Sequence, residues 1–198
     1  AQIKLWLENA AKRFNQIDPA KTDDQWLIND SKTGVQPGSA FPGYNFDVFT
    51  SPDIRYEIDV TKPKYNVNQP VAGQERIQNL TYKGQPISPT QPFIVATNNY
   101  RANSSAPYIL GTGKAFDIVW ASPDANREVV LNFVKTSKNV TRAANGSTSS
   151  WRFAKTPTAG KVLFKSGKDE LKVAQDAGLG NISVDKADDN GVNGGTGT

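Results

Sequence analysis

Ile54-Arg55-Tyr56-Glu57-Ile58-Asp59-Val60 decides the fold class. Apolar side chains stand at every second position, with charged ones between them. Successive side chains of a strand point to opposite faces, so this is a strand buried on one face and wet on the other. Just upstream, Tyr44-Asn45-Phe46-Asp47-Val48-Phe49 alternates in the same way. Ser51-Pro52-Asp53 turns between the two, so a hairpin is expected. Downstream, Arg76 to Tyr82 reads as a third strand. Lys83-Gly84 then makes a tight turn, and Gln85 to Ile87 returns.

Outward from this centre, Ile3, Leu7, Ala10, Phe14 and Ile17 recur every three or four residues. They predict a helix from Ile3 to Ile17, ended by Asp18-Pro19. Residues 19–43 are polar and broken by Pro37, Gly38, Pro42 and Gly43. They read as a surface excursion pinned by Trp26, Leu27 and Ile28. In the second half, Ala115 to Trp120 reads as a strand. Ser122-Pro123-Asp124 starts a helix that runs to about Ser137 and buries Val130, Phe133 and Val134. Trp151 to Ala154 and Val162 to Lys165 are short strands. Ser166 caps a last helix, Lys168 to Ala177, with Gly178 just beyond it. Strands and helices mix without a regular βαβ rhythm. The expected class is therefore α+β, a mixed and largely antiparallel sheet with flanking helices. Residues 1–185 are expected to form the domain, and the Gly-, Asn- and Asp-rich residues 186–198 a flexible tail.

Phe93-Ile94-Val95-Ala96-Thr97-Asn98-Asn99-Tyr100-Arg101-Ala102-Asn103 changes character halfway. Phe93 to Ala96 reads as a central strand buried on both faces. Asn98, Asn99 and Asn103 then shape a polar loop, because asparagine tolerates left-handed backbone angles and bonds to nearby main chain. A loop held by a buried strand is a common place for a binding site. Tyr100 has two readings: its ring stacks on a flat ligand such as a nucleobase, or it caps the core with its hydroxyl in water.

The chain has 198 residues, with no cysteine and no histidine. That removes disulfides, thiolate nucleophiles, the Ser-His-Asp triad and histidine-bound metal pairs. A carboxylate-only hydrolase stays open. No apolar run is long enough to span a bilayer, and no signal peptide is evident. Ala1 already stands in helix-like sequence, so the chain is expected to be a piece of something longer. Net charge is +4, yet no acid falls between Glu128 and Asp169. That interval holds Lys135, Lys138, Arg142, Arg152, Lys155, Lys161, Lys165 and Lys168. It is either a solvated face or one that attracts phosphate. Its aromatics sit at core-like spacings, which opposes a stacking platform for nucleic-acid strands. Arg127, near a helix start, is an anion contact or an ion-pair member.

Six segments carry a family resemblance: Tyr44 to Val48, Tyr56 to Pro63, Arg76 to Ile87, Phe93 to Ala102, Ser122 to Arg127 and Trp151 to Ala154. With the opening helix, ending Phe14-Asn15-Gln16-Ile17-Asp18, they resemble the C-terminal domain of the bacterial periplasmic 2',3'-cyclic-nucleotide 2'-phosphodiesterase/3'-nucleotidases. The likeness runs from about residue 1 to about residue 178. It implies a 5'-nucleotidase C-terminal-domain-like fold that grips the base and ribose of a nucleotide. An N-terminal metallophosphoesterase domain, absent from this chain, would hold two divalent metal ions and do the chemistry. Tyr100 is then one ring of a base sandwich, with Asn99 and Asn103 beside it as substrate-binding residues. The other ring would lie upstream of Ala1, and Tyr44 is read as structural. No catalytic or metal-binding residue is expected here, and the chain alone is expected to be inactive. The implied partners are a nucleotide or nucleoside and the chain's own N-terminal domain, with no membrane and no nucleic-acid polymer. The implied compartment is the periplasm of a Gram-negative bacterium. The chain departs from the family pattern at Ser104-Ser105, where two glycines are usual. It departs again at Ala106, where 5'-nucleotidases carry a ribose-binding aspartate. Two alternatives are the same domain of a 5'-nucleotidase or UDP-sugar hydrolase, and a non-catalytic binding module.

Overall fold

The computed structural model describes residues 1–28, 47–66, 72–102, 117–146, 148–167, 170–187 and 192–197. The expected central alternation is present. Strand β2, Ile54–Ile58, buries Ile54, Tyr56 and Ile58. It pairs antiparallel with β3, Ile77–Tyr82, which pairs antiparallel with β4, Gln85–Pro86. Lys83 and Gly84 both take positive φ, 51° and 75°. That is the mirror-image turn whose twist suits a two-residue hairpin. The register shifts by one residue between Arg55 and Glu57, where β3 carries an extra residue. Asn79 absorbs this bulge at φ 52°, a conformation asparagine tolerates better than most residues.

The other neighbour of β2 is not Tyr44 to Phe49, so the expected hairpin with that segment does not form. Residues 44–46 lie outside the described residues. Asp47 to Phe49 belong to no strand, and the side chains of Asp47 and Phe49 meet Trp6 instead. The place beside β2 goes to β5, Trp151–Phe153, in parallel pairing. The sheet order is β4-β3-β2-β5. A second sheet, ordered β1-β6-β8-β7, joins β1 (Gln25–Trp26), β6 (Val162–Gly167), β7 (Ile182–Ala187) and β8 (Val192–Gly197). Here β1 runs parallel to β6, and β8 antiparallel to both of its neighbours. Residues 192–197, expected in a flexible tail, thus form a strand. The sequence hid this because glycine and asparagine are weak strand formers, and only the ladder orders them.

Helix α1, Gln2–Ala11, supplies the third wall of the core. Leu7, Ala11, Phe14, Ile28, Tyr56, Ile58 and Ile77 pack into one cluster. The helix stops six residues short of the expected Ile17, although Phe14 and Ile17 are both buried. The carbonyl of Ala11 would accept the Asn15 N–H if the helix continued. It accepts Arg76 Nη1 instead, at 2.8 Å, and Asn15 N–H goes to Leu27 O at 2.8 Å. Phe14 then bridges to Ile28. The apolar period outlasts the helix because the chain beyond it still lies on the same core.

Further expectations fail downstream of β4. Phe93 to Ala96 forms no strand, and Ile94 is 85% exposed. Pro86, Pro89 and Pro92 have no N–H to donate, so no ladder extends toward this segment. The Phe93 ring meets the sheet edge-on at Tyr82, at 5.2 Å. Asp117 to Trp120 are irregular and exposed, and 115–116 lie outside the described residues. Helix α2, Asn126–Ser137, forms as expected but starts after Ala125. Ser122 Oγ accepts the Asp124 N–H in a local turn and so does not cap the helix. Val130, Phe133 and Val134 are exposed along it. Their period marks a face that can pack, but not what packs on it. A short helix α3, Arg142–Asn145, follows. The last helix, α4, is Glu170–Asp176 and ends at Gly178 with φ 79°, as its sequence predicts. Ser166 belongs to β6, where it is paired with Asn193, and residues 168–169, which it was expected to cap, lie outside the described residues.

Candidate functional site

The turn that presents Tyr100 begins at Asn98. Asn98 Oδ1 accepts the Arg101 N–H at 2.8 Å, and its carbonyl accepts the Ala102 N–H at 3.0 Å. A side-chain oxygen that takes an otherwise orphaned N–H starts a helical turn, here over 99–102. Asn99 and Tyr100 therefore sit together on one capped turn, both exposed, Tyr100 at 57%. Tyr100 is thus more than half exposed, and its ring is open to solvent. Asn103 lies outside the described residues, as do Ser104, Ser105 and Ala106.

Three side chains that sequence reasoning passed over complete the site. Arg101 lies over the Tyr100 ring, its guanidinium carbon 5.6 Å from the ring centroid. Arg101 Nε also meets Asp47 Oδ1 at 3.0 Å. The other oxygen of Asp47 accepts Trp6 Nε1 at 2.8 Å. Trp6 is buried on α1 and meets Phe49 edge-on at 5.4 Å. The ring of Tyr100 is thus joined through two polar contacts to the first helix of the core. One signal was available in the sequence. A buried indole needs an acceptor for its N–H, and Asp47 is an acid amid aromatic and apolar neighbours.

The basic interval is partly matched by acids from elsewhere. Arg152 Nε donates to Glu57 Oε1 at 2.7 Å, and Asn79 Nδ2 to Glu57 Oε2 at 2.7 Å. The Arg152 bond first, and then the Asn79 bond, hold the Glu57 carboxyl below its ordinary range. Lys161 Nζ meets Asp185 at 2.6 Å, and that hydrogen bond raises the Lys161 ammonium. Lys165 lies over the Trp26 ring at 5.6 Å. Arg127 is exposed at the start of α2.

Among the described residues, the donor set does not fit a pair of divalent metal ions. The chain has no histidine. Among the described residues, no three carboxylates gather where an ion could sit. No helix among them is long and apolar enough to cross a membrane.

Comparison with known proteins decides the family. Residues 1–109 match the profile described as 5'-nucleotidase, C-terminal domain. The chain belongs to the 5'-nucleotidase C-terminal domain family. Within it, the chain is 40% identical over 193 residues to the trifunctional nucleotide phosphoesterase protein YfkN of Bacillus subtilis. That alignment covers 96% of this chain and 11% of YfkN. It is 38% identical over 156 residues to the 2',3'-cyclic-nucleotide 2'-phosphodiesterase/3'-nucleotidase of Haemophilus influenzae, covering 77% of this chain and 22% of the relative. The protein of the same name from Salmonella typhimurium is 37% identical over 179 residues, or 87% of this chain and 26% of that relative. This 5'-nucleotidase C-terminal domain therefore spans between about a tenth and a quarter of the length of these relatives. No solved structure matches it. The resemblance read from the six segments is borne out, as is the α+β class.

Proposed function

We propose that this domain grips the base and ribose of a nucleotide for a metal-dependent 2',3'-cyclic-nucleotide 2'-phosphodiesterase/3'-nucleotidase of the periplasm. The observation that carries this reading is the likeness to two proteins of that name over three quarters or more of this chain. The exposed Tyr100 ring on its capped turn supplies a surface for the base. Stacking on an aromatic ring contributes about 1–3 kcal/mol per base and tolerates any base. Asn99, on the same turn, adds a hydrogen-bonding group, and the family resemblance adds Asn103 as a second. Tyr100 thereby positions the substrate and transfers no proton or phosphoryl group. The two divalent ions, which this chain's described residues do not fit, belong to a metallophosphoesterase domain that acts as its partner. In such a site, a metal polarises the phosphoryl oxygen and activates water.

The family's own description favours a second reading, in which the parent acts on 5'-nucleotides. Assays of the parent protein on 2',3'-cyclic AMP, 3'-AMP and 5'-AMP separate the two. Adenosine and 3'-AMP titrated into the metal-chelated parent test the grip itself. Tyr100→Ala is expected to weaken both by roughly 5- to 150-fold, the equivalent of one stacked base. Unchanged affinity overturns the stacking role.

A further inference from the structure

We infer that Asp47 is a positioning residue for the nucleoside, acting through Arg101 and the Tyr100 turn. This rests on the stacking role proposed above. Asp47 stands between two partners on separate elements. One oxygen accepts Trp6 Nε1 at 2.8 Å, and the other meets Arg101 Nε at 3.0 Å. Trp6 is fixed, 6% exposed on α1 and packed against Phe49. Arg101 is not fixed by burial, and it borders the Tyr100 ring at 5.6 Å. The described part of the turn, 99–102, is tied at its start by Asn98, whose Oδ1 and carbonyl accept the Arg101 and Ala102 N–H groups. Its strand-side approach gives little support, since Ile94 and its neighbours form no ladder. Asp47 therefore carries the rigidity of α1 to the turn. A carboxylate suits the task because it accepts from an indole N–H and a guanidinium N–H at once, one on each oxygen. An aromatic ring held in its bound pose before the ligand arrives loses less freedom on binding.

The test is a double-mutant cycle in the full-length parent, with metals chelated and adenosine as the titrant. Asp47→Ala is expected to weaken adenosine about fivefold to tenfold in the wild-type background. In the Tyr100→Ala background it is expected to change affinity by less than twofold, because the group it positions is gone. Arg101→Gln is the second variant and keeps the cycle usable if Asp47→Ala fails to fold. It is expected to show the same coupling to Tyr100. In turnover, both variants should raise KM and leave kcat near wild type. A merely structural residue would lower active-enzyme content, and with it apparent kcat. If Tyr100→Ala weakens adenosine but neither Asp47→Ala nor Arg101→Gln does, the positioning role is overturned and the stacking role stands. Equal losses with and without Tyr100 also overturn it. If Tyr100→Ala itself leaves affinity unchanged, the stacking role fails, and the inference with it.

Discussion

Arg76 shows no exposed surface and directs its guanidinium almost wholly at backbone. Nη1 donates to the carbonyls of Ala11 and Phe14, and Nε to those of Lys62 and Pro63. Glu8, 2% exposed, accepts the N–H groups of Arg76 and Ile77 at 3.0 and 2.7 Å. Burial pushes the Arg76 guanidinium down to about 10, opposed by the charges of Glu8 and Asp59. Burial likewise raises the Glu8 carboxyl, opposed by its two backbone hydrogen bonds. Arg76→Met removes the cation from a buried acid and strips four carbonyls of a donor. It is expected to cost about 3–5 kcal/mol, read as a lower urea midpoint. Glu57 shows the contrasting case at the surface, paired with an Arg152 side chain that is 79% exposed. Its carboxyl is held below the ordinary range, so its contribution is present above the unfolded value, about 4.3. That contribution is lost as pH falls through the lower folded value. Wild type should therefore melt slightly above Glu57→Gln at pH 7, and the gap should narrow as the pH is taken below the unfolded value.

At the scale of elements, local chemistry was legible in the sequence and distant chemistry was not. The alternation of β2, the Lys83-Gly84 turn and the Gly178 helix stop each depend on a few adjacent residues, and each forms as read. The end of α1 depends on Arg76, far along the chain, so periodicity alone ran past it. The apolar run from Phe93 to Ala96 had strand-like composition but no partner N–H row to join. In the candidate site, Tyr100 and Asn99 were legible from residue type and resemblance. Asp47 and Arg101 were not, because their contact crosses from one segment to another. Two glycines separate backbone conformation from crowding. Gly84 has φ 75° with open space where a Cβ would go, so Gly84→Ala should cost only about 1 kcal/mol. At Gly160 a Cβ would stand 2.6 Å from the carbonyl oxygens of Thr22 and Asp23. Backbone oxygens cannot swing aside, so Gly160→Ala should cost more, about 3 kcal/mol. Thermal melts of the two variants side by side check the order.

At the scale of the whole molecule, the chain's residues divide between a core and a presenting surface, and no donor set for metal chemistry stands among those described. Rigorously purified, this chain alone is expected to turn over no 2',3'-cyclic AMP or 3'-AMP, even with manganese or cobalt added. Metal-dependent release of phosphate by the pure chain would overturn the assignment of chemistry to a separate domain. The pairing of β2 with β5 joins Tyr56 to Trp151, and that of β1 with β6 joins Gln25 to Val162. Each sheet is therefore closed by residues far apart in the chain, 95 positions in the first pairing and 137 in the second. Contacts between such distant residues lose much chain entropy before they return any stability, and they form slowly. On the ribosome, the half of the core built by α1, β2 and β3 must wait with one flank of β2 uncovered until Phe153 has emerged. Until then the nascent chain offers an open strand edge to any chaperone, or any second nascent chain, that reaches it first.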